Sequence, residues 1–444
     1  MRDMKRRLSG WGRYPTVEAE ERFAPRLTDI TDGAVLTRAY GRSYGDASLP
    51  AAGDGPVANA RSSHRVLGFD AATGLLHAEA GFGLEELNRR FWDEGWAAPV
   101  TPGTAQVSVG GMIASDVHGK NHHVAGTLGH FVESIEIQTA DGQIHTVGQG
   151  DAEGLFAATV GGMGLTGHIL SARLRLESIA SPWIHQHIRV CRDLDGLLEG
   201  LAQESRRSPM TVAWADALAG GGSMGRGIVI GGRWAERGEA PERAQPRATG
   251  FRLPFDLPGP TLARWNIGLL NRIYFARNRR REGDGLVSAR EFFYPLDGVQ
   301  NWNRAYGRRG FTQYQCVLPR AEARQSVVRI FDELRRLRIA SFLTVIKDCG
   351  ESSIGLLSFP MPGISVALDL PMIRGETAGW VAALDRVVVE CGGRIYLAKD
   401  ALTGRDAFAA MEGERIRRFD EARRRFDPDR RIRSALSRRL LEGR

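Results

Sequence analysis

Between about residues 25 and 180, short apolar runs alternate with glycine turns. Ala34 to Thr37, Gly74 to Ala80, Ser134 to Thr139 and Ile169 to Leu176 read as strands. Leu84-Glu85-Glu86-Leu87-Asn88-Arg89-Arg90-Phe91-Trp92 places apolar side chains three and four apart and predicts a helix closed near Gly95. The clearest local signal runs from Ser134 to Val147, where two strand-like runs flank Asp141-Gly142 and predict a β-hairpin.

Residues 310 to 400 alternate again: strand Thr312 to Leu318, helix Ala321 to Leu337, strands Ser341 to Lys347 and Gly363 to Leu370, helix Gly375 to Cys391, strand Arg394 to Ala398. Two strand-helix-strand passages describe a sheet covered on one side by helices. From 203 to 290, by contrast, Gly220-Gly221-Gly222, the charged stretch Arg233 to Arg247, the prolines 254, 258 and 260 and the basic knot Arg277 to Arg281 predict long surface loops. Ala407 to Arg444 reads as an Arg-rich solvated amphipathic helix, broken at Asp427-Pro428 and returning to the first domain. The expected class is therefore α+β in two domains. Residues 1–180 form the first, 181–400 a second with long loops near 230–290, and 401–444 return to the first.

Composition narrows the function. The chain has 444 residues, a net charge of +8 and 42% apolar residues, ordinary for a globular protein of two or three domains. No apolar run approaches the roughly 20 residues of a membrane-spanning helix, and the basic start runs into Leu8-Ser9-Gly10-Trp11-Gly12 where a signal peptide would need an apolar core. A soluble, cytoplasmic protein is expected. The cysteines at 191, 316, 349 and 391 form no paired or zinc-like spacing, so neither a disulfide framework nor a metal is expected. The positive charge lies in mixed-sign helices without a nucleic-acid-reading motif, which argues against a nucleic-acid partner. Lysine is rare: Lys5, Lys120, Lys347 and Lys399 are the only four. In so Arg-rich a chain, each marks a place where a guanidinium will not serve.

The 54 glycines exceed the roughly 7% of an average chain, and they cluster. Gly41-Arg42-Ser43-Tyr44-Gly45-Asp46, Pro102-Gly103-Thr104, Ser108 to Lys120 and Val160 to Gly167 share one style, small residues that let backbone N–H groups converge on an anion. None matches a P-loop or a dinucleotide G-x-G-x-x-G fingerprint. His118 with His122 and His123 lacks the carboxylate or thiol that would complete a metal site; His122 and His123 read as structural.

These four segments, in this order, resemble the FAD-binding domain of the vanillyl-alcohol oxidase / p-cresol methylhydroxylase (PCMH) superfamily. The resemblance sharpens over nearly the whole chain. G-R-S-Y-G-D, P-G-T-x-Q-V-S-V-G-G, D-V-H-G-K-N-H-H, W-N-R-A-Y-G (302–307), Q-Y-Q (313–315), L-S-F-P (357–360) and G-G-R-I-Y-L-A-K-D (392–400) look like the decaprenylphosphoryl-β-D-ribose 2′-oxidase family, flavoenzymes that oxidise a lipid-linked ribose on the way to arabinose donors.

That resemblance implies FAD contacts along residues 37–47, including Gly41, Arg42, Ser43, Tyr44, Gly45 and Asp46. It extends them to Gly103, Thr104, Ser108, Val109, Gly110, Gly111, Ser115, Asp116, Val117, His118, Ile169 and Tyr396. It makes Lys399, His118 and Tyr44 the candidates for catalysis, and Lys120, Gln313, Gln315, Lys347 and Trp214 candidates for binding substrate. Tyr44 aligns with a residue that in several superfamily members is a flavin-linked His, so FAD is expected to be non-covalent. Ala367 stands where some members of the family carry a Cys.

An alcohol oxidation needs a proton acceptor beside the hydroxyl. Lys399 fits that role or an electrostatic one toward developing negative charge, and sequence leaves both open. The expected partners are a polyprenyl-phosphate-linked pentose, quinone or oxygen as electron acceptor, and an NAD(P)H-dependent short-chain keto-sugar reductase. Basic loops at 233–247 and 277–281 suit peripheral contact with the inner membrane. Two rival readings are an oxidase of a soluble alditol or aldonolactone, and a catalytically idle flavoprotein partner of an epimerase system.

Overall fold

The computed structural model describes residues 2–241 and 250–442; the basic stretch at 242–247 lies outside them. The fold is α+β. Its first part holds a four-stranded sheet in the order Arg2–Ser9, Thr16–Phe23, Val57–Asn59, Leu36–Arg38. The basic start is thus an edge strand. Its register sets Lys5 opposite Glu20 and Arg7 opposite Glu18, an antiparallel ladder of opposite charges that needs little apolar surface to be specified.

A five-stranded antiparallel sheet follows, in the order Val66–Asp70, Leu75–Glu79, His168–Arg175, Val132–Gln138, Ile144–Gly148. The last two strands are the expected hairpin. Thr139 N–H donates to Gln143 O at 2.9 Å across its turn, and Gly142 takes φ +86°, a conformation costly for any side chain with a Cβ.

Residues 183–395 build an eight-stranded antiparallel sheet. Its order is Gly283–Ser288, Trp183–Cys191, Gly227–Trp234, Met210–Ala215, Thr344–Cys349, Gly363–Pro371, Phe311–Pro319, Arg394–Ile395. The helices Leu194–Arg207, Ala323–Arg336 and Thr377–Glu390 cover one face. Leu197, Leu201, Ile330 and Leu384 pack there on Ala213, Val229, Cys316, Ile346 and Val366 in one core. Successive strand residues point to opposite faces, so the neighbours Val212, Ile230, Gln315, Lys347 and Ser365 turn the other way, into a cavity.

Residues 203–290 depart from the expected loops. Two central strands, a 16-residue helix (Arg264–Arg279) and an edge strand lie within them. The strand Gly227–Trp234 escapes a pattern reading because its glycines are packing sites. A Cβ on Gly227 would lie 2.1 Å from Trp214 O, and one on Gly232 would lie 2.6 Å from the Phe292 ring.

The C-terminal residues run back to the start of the chain. Arg433 N–H donates to Val35 O at 2.8 Å and Ala435 N–H to Leu49 O at 2.7 Å. Among the described residues no helix is long and apolar enough to cross a membrane.

Gly227→Ala forces a methyl group onto a backbone oxygen that cannot yield. Urea unfolding should give a loss of roughly 1–3 kcal/mol, the usual cost of overpacking, and a variant as stable as the parent would show that the strand relaxes freely.

Candidate active site

A cavity of about 1200 Å³ lies between the glycine-rich segments and the open face of the eight-stranded sheet. Its first wall carries Gly41, Arg42, Ser43, Tyr44, Gly103, Thr104, Ser108, Gly110, Gly111, Ser115, Val117, His118 and Ile169. Lys120, Trp214, Gln313, Gln315, Lys347, Tyr396 and Lys399 also line it. Three of the four lysines therefore meet in one cavity, and Lys5 alone is on the surface.

Four expected FAD contacts stand behind the wall instead. Gly45 is pressed so close to the Asp400 backbone that a Cβ would lie 1.7 Å from its oxygen. The Asp46 carboxylate accepts two bonds from Arg439, at 2.8 and 2.9 Å. Val109 is buried in the core, its N–H donating to Phe82 O at 2.9 Å. Asp116, fully buried, accepts from Gly129 N–H at 2.9 Å and from the Ser358 hydroxyl.

The positive groups are held where charge is costly. Burial, then neighbouring Lys347, pulls Lys120 down to about 7; its ammonium donates to Phe293 O at 3.2 Å. Burial also lowers Lys347. Lys399 is pulled down to about 7 by burial, against the upward pull of Asp369, and its Nζ stands 3.8 Å from the centre of the Tyr44 ring.

Burial, Lys347, His122 and Lys399 together push His118 well below its ordinary value, so its imidazole is neutral. The Gln315 amide donates to His118 Nε2 at 3.1 Å and to Ser365 Oγ at 3.0 Å. His118 Nδ1 has no partner among the described residues. His122 and His123 engage backbone groups, with Gly350 N–H donating to His122 Nδ1 at 2.9 Å and His123 Nε2 lying 3.0 Å from Ser208 O.

Across the sheet the cavity changes character. Gln313, Gln315, Lys347 and Ser365 line the end near Tyr44 and Lys399, whereas Ile188, Val212, Trp214 and Ile230, together with Gln186, line the strands at the other end. Trp214 meets Tyr274 edge-on at 4.7 Å. Ala367, paired with Gln315, is part of the polar end, and among the described residues no cysteine lines the cavity.

A family model described as "FAD binding domain" matches residues 14–148. A decaprenylphosphoryl-β-D-ribose oxidase of Mycolicibacterium smegmatis is 36% identical over 98% of this chain and 97% of its own length. The chain belongs to the decaprenylphosphoryl-β-D-ribose oxidase family. An uncharacterised protein of Streptomyces coelicolor is 34% identical over 78% of the chain and 96% of its own. A D-lactate dehydrogenase of Archaeoglobus fulgidus is 32% identical over 25% and 26% of the two chains.

FAD is the cofactor of this family member, and the wall fits it. The cavity exceeds the roughly 300–1000 Å³ of a pocket for one small ligand, leaving room for a dinucleotide and a substrate. At Gly103 and Gly164 an added Cβ would meet no atom within 4 Å, so bare backbone faces open space, as a cradle for phosphates requires. The unpartnered His118 Nδ1 adds a buried polar atom on that wall.

Several functional residues were not legible in the sequence. Asp297 lines the cavity and accepts from Thr104 Oγ1 at 2.7 Å and Ala105 N–H at 2.8 Å, pinning the 102–106 turn. Asp369 accepts from Gln313 at 2.5 Å and the Tyr306 hydroxyl at 2.9 Å, and burial pushes it up to about 6. A lone Asp in the apolar run Ile364 to Leu370 was its available signal. Arg439 had none: it reaches Asp46 and Asp400 at 2.8 Å each, beside Tyr44 on one chain segment and Lys399 on the other. Tyr44 N–H donates to Ala398 O at 2.8 Å, joining the same two segments.

Arg439→Gln leaves two buried carboxylates unpaired. It should lower stability by roughly 3–5 kcal/mol, as removal of one partner from a buried ion pair does, and reduce the FAD-to-protein absorbance ratio. Unchanged flavin content and melting temperature would remove Arg439 from the support of the site.

Proposed function

We propose that the protein oxidises the 2′-hydroxyl of a polyprenylphosphoryl-β-D-ribofuranose to the 2′-keto sugar, the first half of an epimerisation toward an arabinose donor. The observation that carries this reading is the change across the sheet, from lysines and glutamines at one end of the cavity to Ile188, Val212, Trp214 and Ile230 at the other. A sugar phosphate on an apolar tail is complementary to both ends. A soluble alditol would leave the apolar end without purpose. In this reading residues 1–180 with the returning segment 401–444 form the FAD domain, and residues 181–400 form the substrate domain.

Bound FAD supplies a hydride acceptor. Residues 37–44 and the Gly103, Ser108–Gly111 and Ser115–His118 segments hold it, without a covalent link. As hydride leaves the carbinol carbon, the hydroxyl proton must be taken up by a group within hydrogen-bond reach. Lys399 serves. Its amine is partly neutral near pH 7 and can take that proton, and the nearby Asp369 carboxylate favours the ammonium so formed. Tyr44 keeps its own proton, held far above its ordinary value by burial and by Asp369, and orients the substrate. Lys120 and Lys347 attract the phosphate, and Gln313 and Gln315 fix the sugar. Quinone or oxygen reoxidises the enzyme, and an NAD(P)H-dependent short-chain reductase consumes the keto product.

Incubation with polyprenylphosphoryl ribose should yield a product two hydrogens lighter by mass spectrometry, with soluble alditols unchanged; the reverse preference would favour the alditol reading. Acid precipitation should leave the yellow colour in the supernatant, whereas a coloured pellet would mean a covalent flavin.

Lys399→Ala should retain FAD and reduce the anaerobic flavin-reduction rate roughly 100-fold or more, as loss of a general base does. In the parent that rate should climb as pH rises through about 7; an unimpaired variant with the same pH limb would exclude Lys399. The sign also holds for stability. The unfolded amine keeps its proton to roughly pH 10 while the folded one releases it near 7, so this group makes folding more favourable as pH rises through that window.

A further inference from the structure

The helix Arg264–Arg279 carries apolar residues on two sides. Its buried positions are Ile267, Asn271 and Asn278, and Asn271 donates to Asp216 Oδ1 at 2.7 Å. Its exposed apolar positions are Trp265, Leu269, Leu270, Ile273 and Tyr274, 40–71% exposed. At 3.6 residues per turn Trp265, Leu269 and Ile273 form a stripe on the side opposite the buried residues, while Leu270 and Tyr274 flank the buried side toward the cavity, Tyr274 against Trp214. A helix in water keeps its apolar residues on the inward face; here Ile267 and Phe275 do pack inward, Phe275 on Ile188 and Trp214, but Trp265, Leu269 and Ile273 form a second apolar stripe facing outward.

Charge indicates what covers that stripe. From 264 to 281 the chain has arginines at 264, 272, 277, 279, 280 and 281 and no acidic residue, and all six arginines are exposed. Leu270, Ile273 and Tyr274 are exposed and also line the far end of the cavity. Phe251, 67% exposed, pairs with Val299, another lining residue. The mouth of the cavity thus has an apolar rim with cations beside it.

We infer that the helix Arg264–Arg279 docks the protein on an anionic lipid bilayer, with Trp265, Leu269 and Ile273 entering the interface and Arg272 and Arg279 meeting acidic head groups. Amphipathic helices with cationic flanks bind membrane surfaces in this way. The inference deepens the lipid-substrate reading, because docking here would open the apolar end of the cavity toward the bilayer that holds a polyprenyl tail.

The test is co-flotation of FAD-loaded protein with vesicles of phosphatidylcholine alone or containing one-third phosphatidylglycerol, at low and high salt. The protein should float with the anionic vesicles and at least tenfold less with the neutral ones, and high salt should weaken binding. Trp265→Ser/Leu269→Ser and Arg272→Glu/Arg279→Glu lie outside the cavity wall. Each double variant should lose at least tenfold in vesicle partitioning while keeping the flavin spectrum and the turnover of detergent-dispersed substrate.

Failure of the parent to float, flotation equal on both vesicles, or variants that float like the parent would each overturn the proposal. So would sedimentation showing a parent dimer that the Trp265→Ser/Leu269→Ser change dissociates, without vesicle binding, since the stripe would then be covered by a second copy. Vesicle binding is read without turnover. Docking without oxidation of lipid-linked ribose overturns only the substrate reading, and oxidation without docking overturns only this one.

Discussion

Arg439 holds Asp46 and Asp400 at 2.8 Å each, and through them the C-terminal helix secures both the loop that carries Tyr44 and the segment that carries Lys399. Both carboxylates are about 95% buried as side chains. Removing the cation would leave them uncompensated, whereas keeping it fixes two distant stretches of chain against each other. The close approach of Gly45 to Asp400 and the Tyr44–Ala398 bond complete the junction. The pairing of Tyr44 with Lys399, on which the proposed proton transfer depends, follows from this contact between the first fifty residues and the last ten.

The alternation of the eight-stranded sheet supplies the second wall. One residue in two must go to the helix-covered core, and the others are free to be chosen for chemistry. In the central strands those others are Gln313, Gln315, Lys347, Ser365 and, farther across, Val212, Trp214 and Ile230. Crowding three lysines there lowers the proton affinity of each, through burial and, for Lys120 and Lys399, through Lys347. The same crowding keeps an amine available as a proton acceptor.

Much of this was readable in advance where local chemistry decides. The 134–147 hairpin was legible because Asp-Gly dictates its turn, and the lysines because scarcity singled them out. The glycine segments were legible as an open stretch of backbone because their small residues cluster. Elements decided by tertiary packing were not. The strand Gly227–Trp234 is regular because its neighbours fill the space its glycines leave. The helix Arg264–Arg279 has apolar residues on both its packed and its exposed side and so defeats the usual periodic signal. Gly45, Asp46, Val109 and Asp116 were read as cofactor contacts from their place in motifs, yet a motif marks a backbone path, and side chains along it alternate between the cavity and what supports it. Asp297 acquires its role by meeting partners more than 190 residues away, and Arg439 by joining Asp46, 393 residues away, to Asp400.

In the proposed reaction one cavity brings FAD and a lipid-linked ribose together. The most direct measurement is an anaerobic visible spectrum of the purified protein, following the flavin band near ~450 nm as polyprenylphosphoryl ribose is added. The flavin band should bleach stoichiometrically with the lipid-linked sugar. A flavin band that persists with this substrate, or no flavin at all, would contradict it.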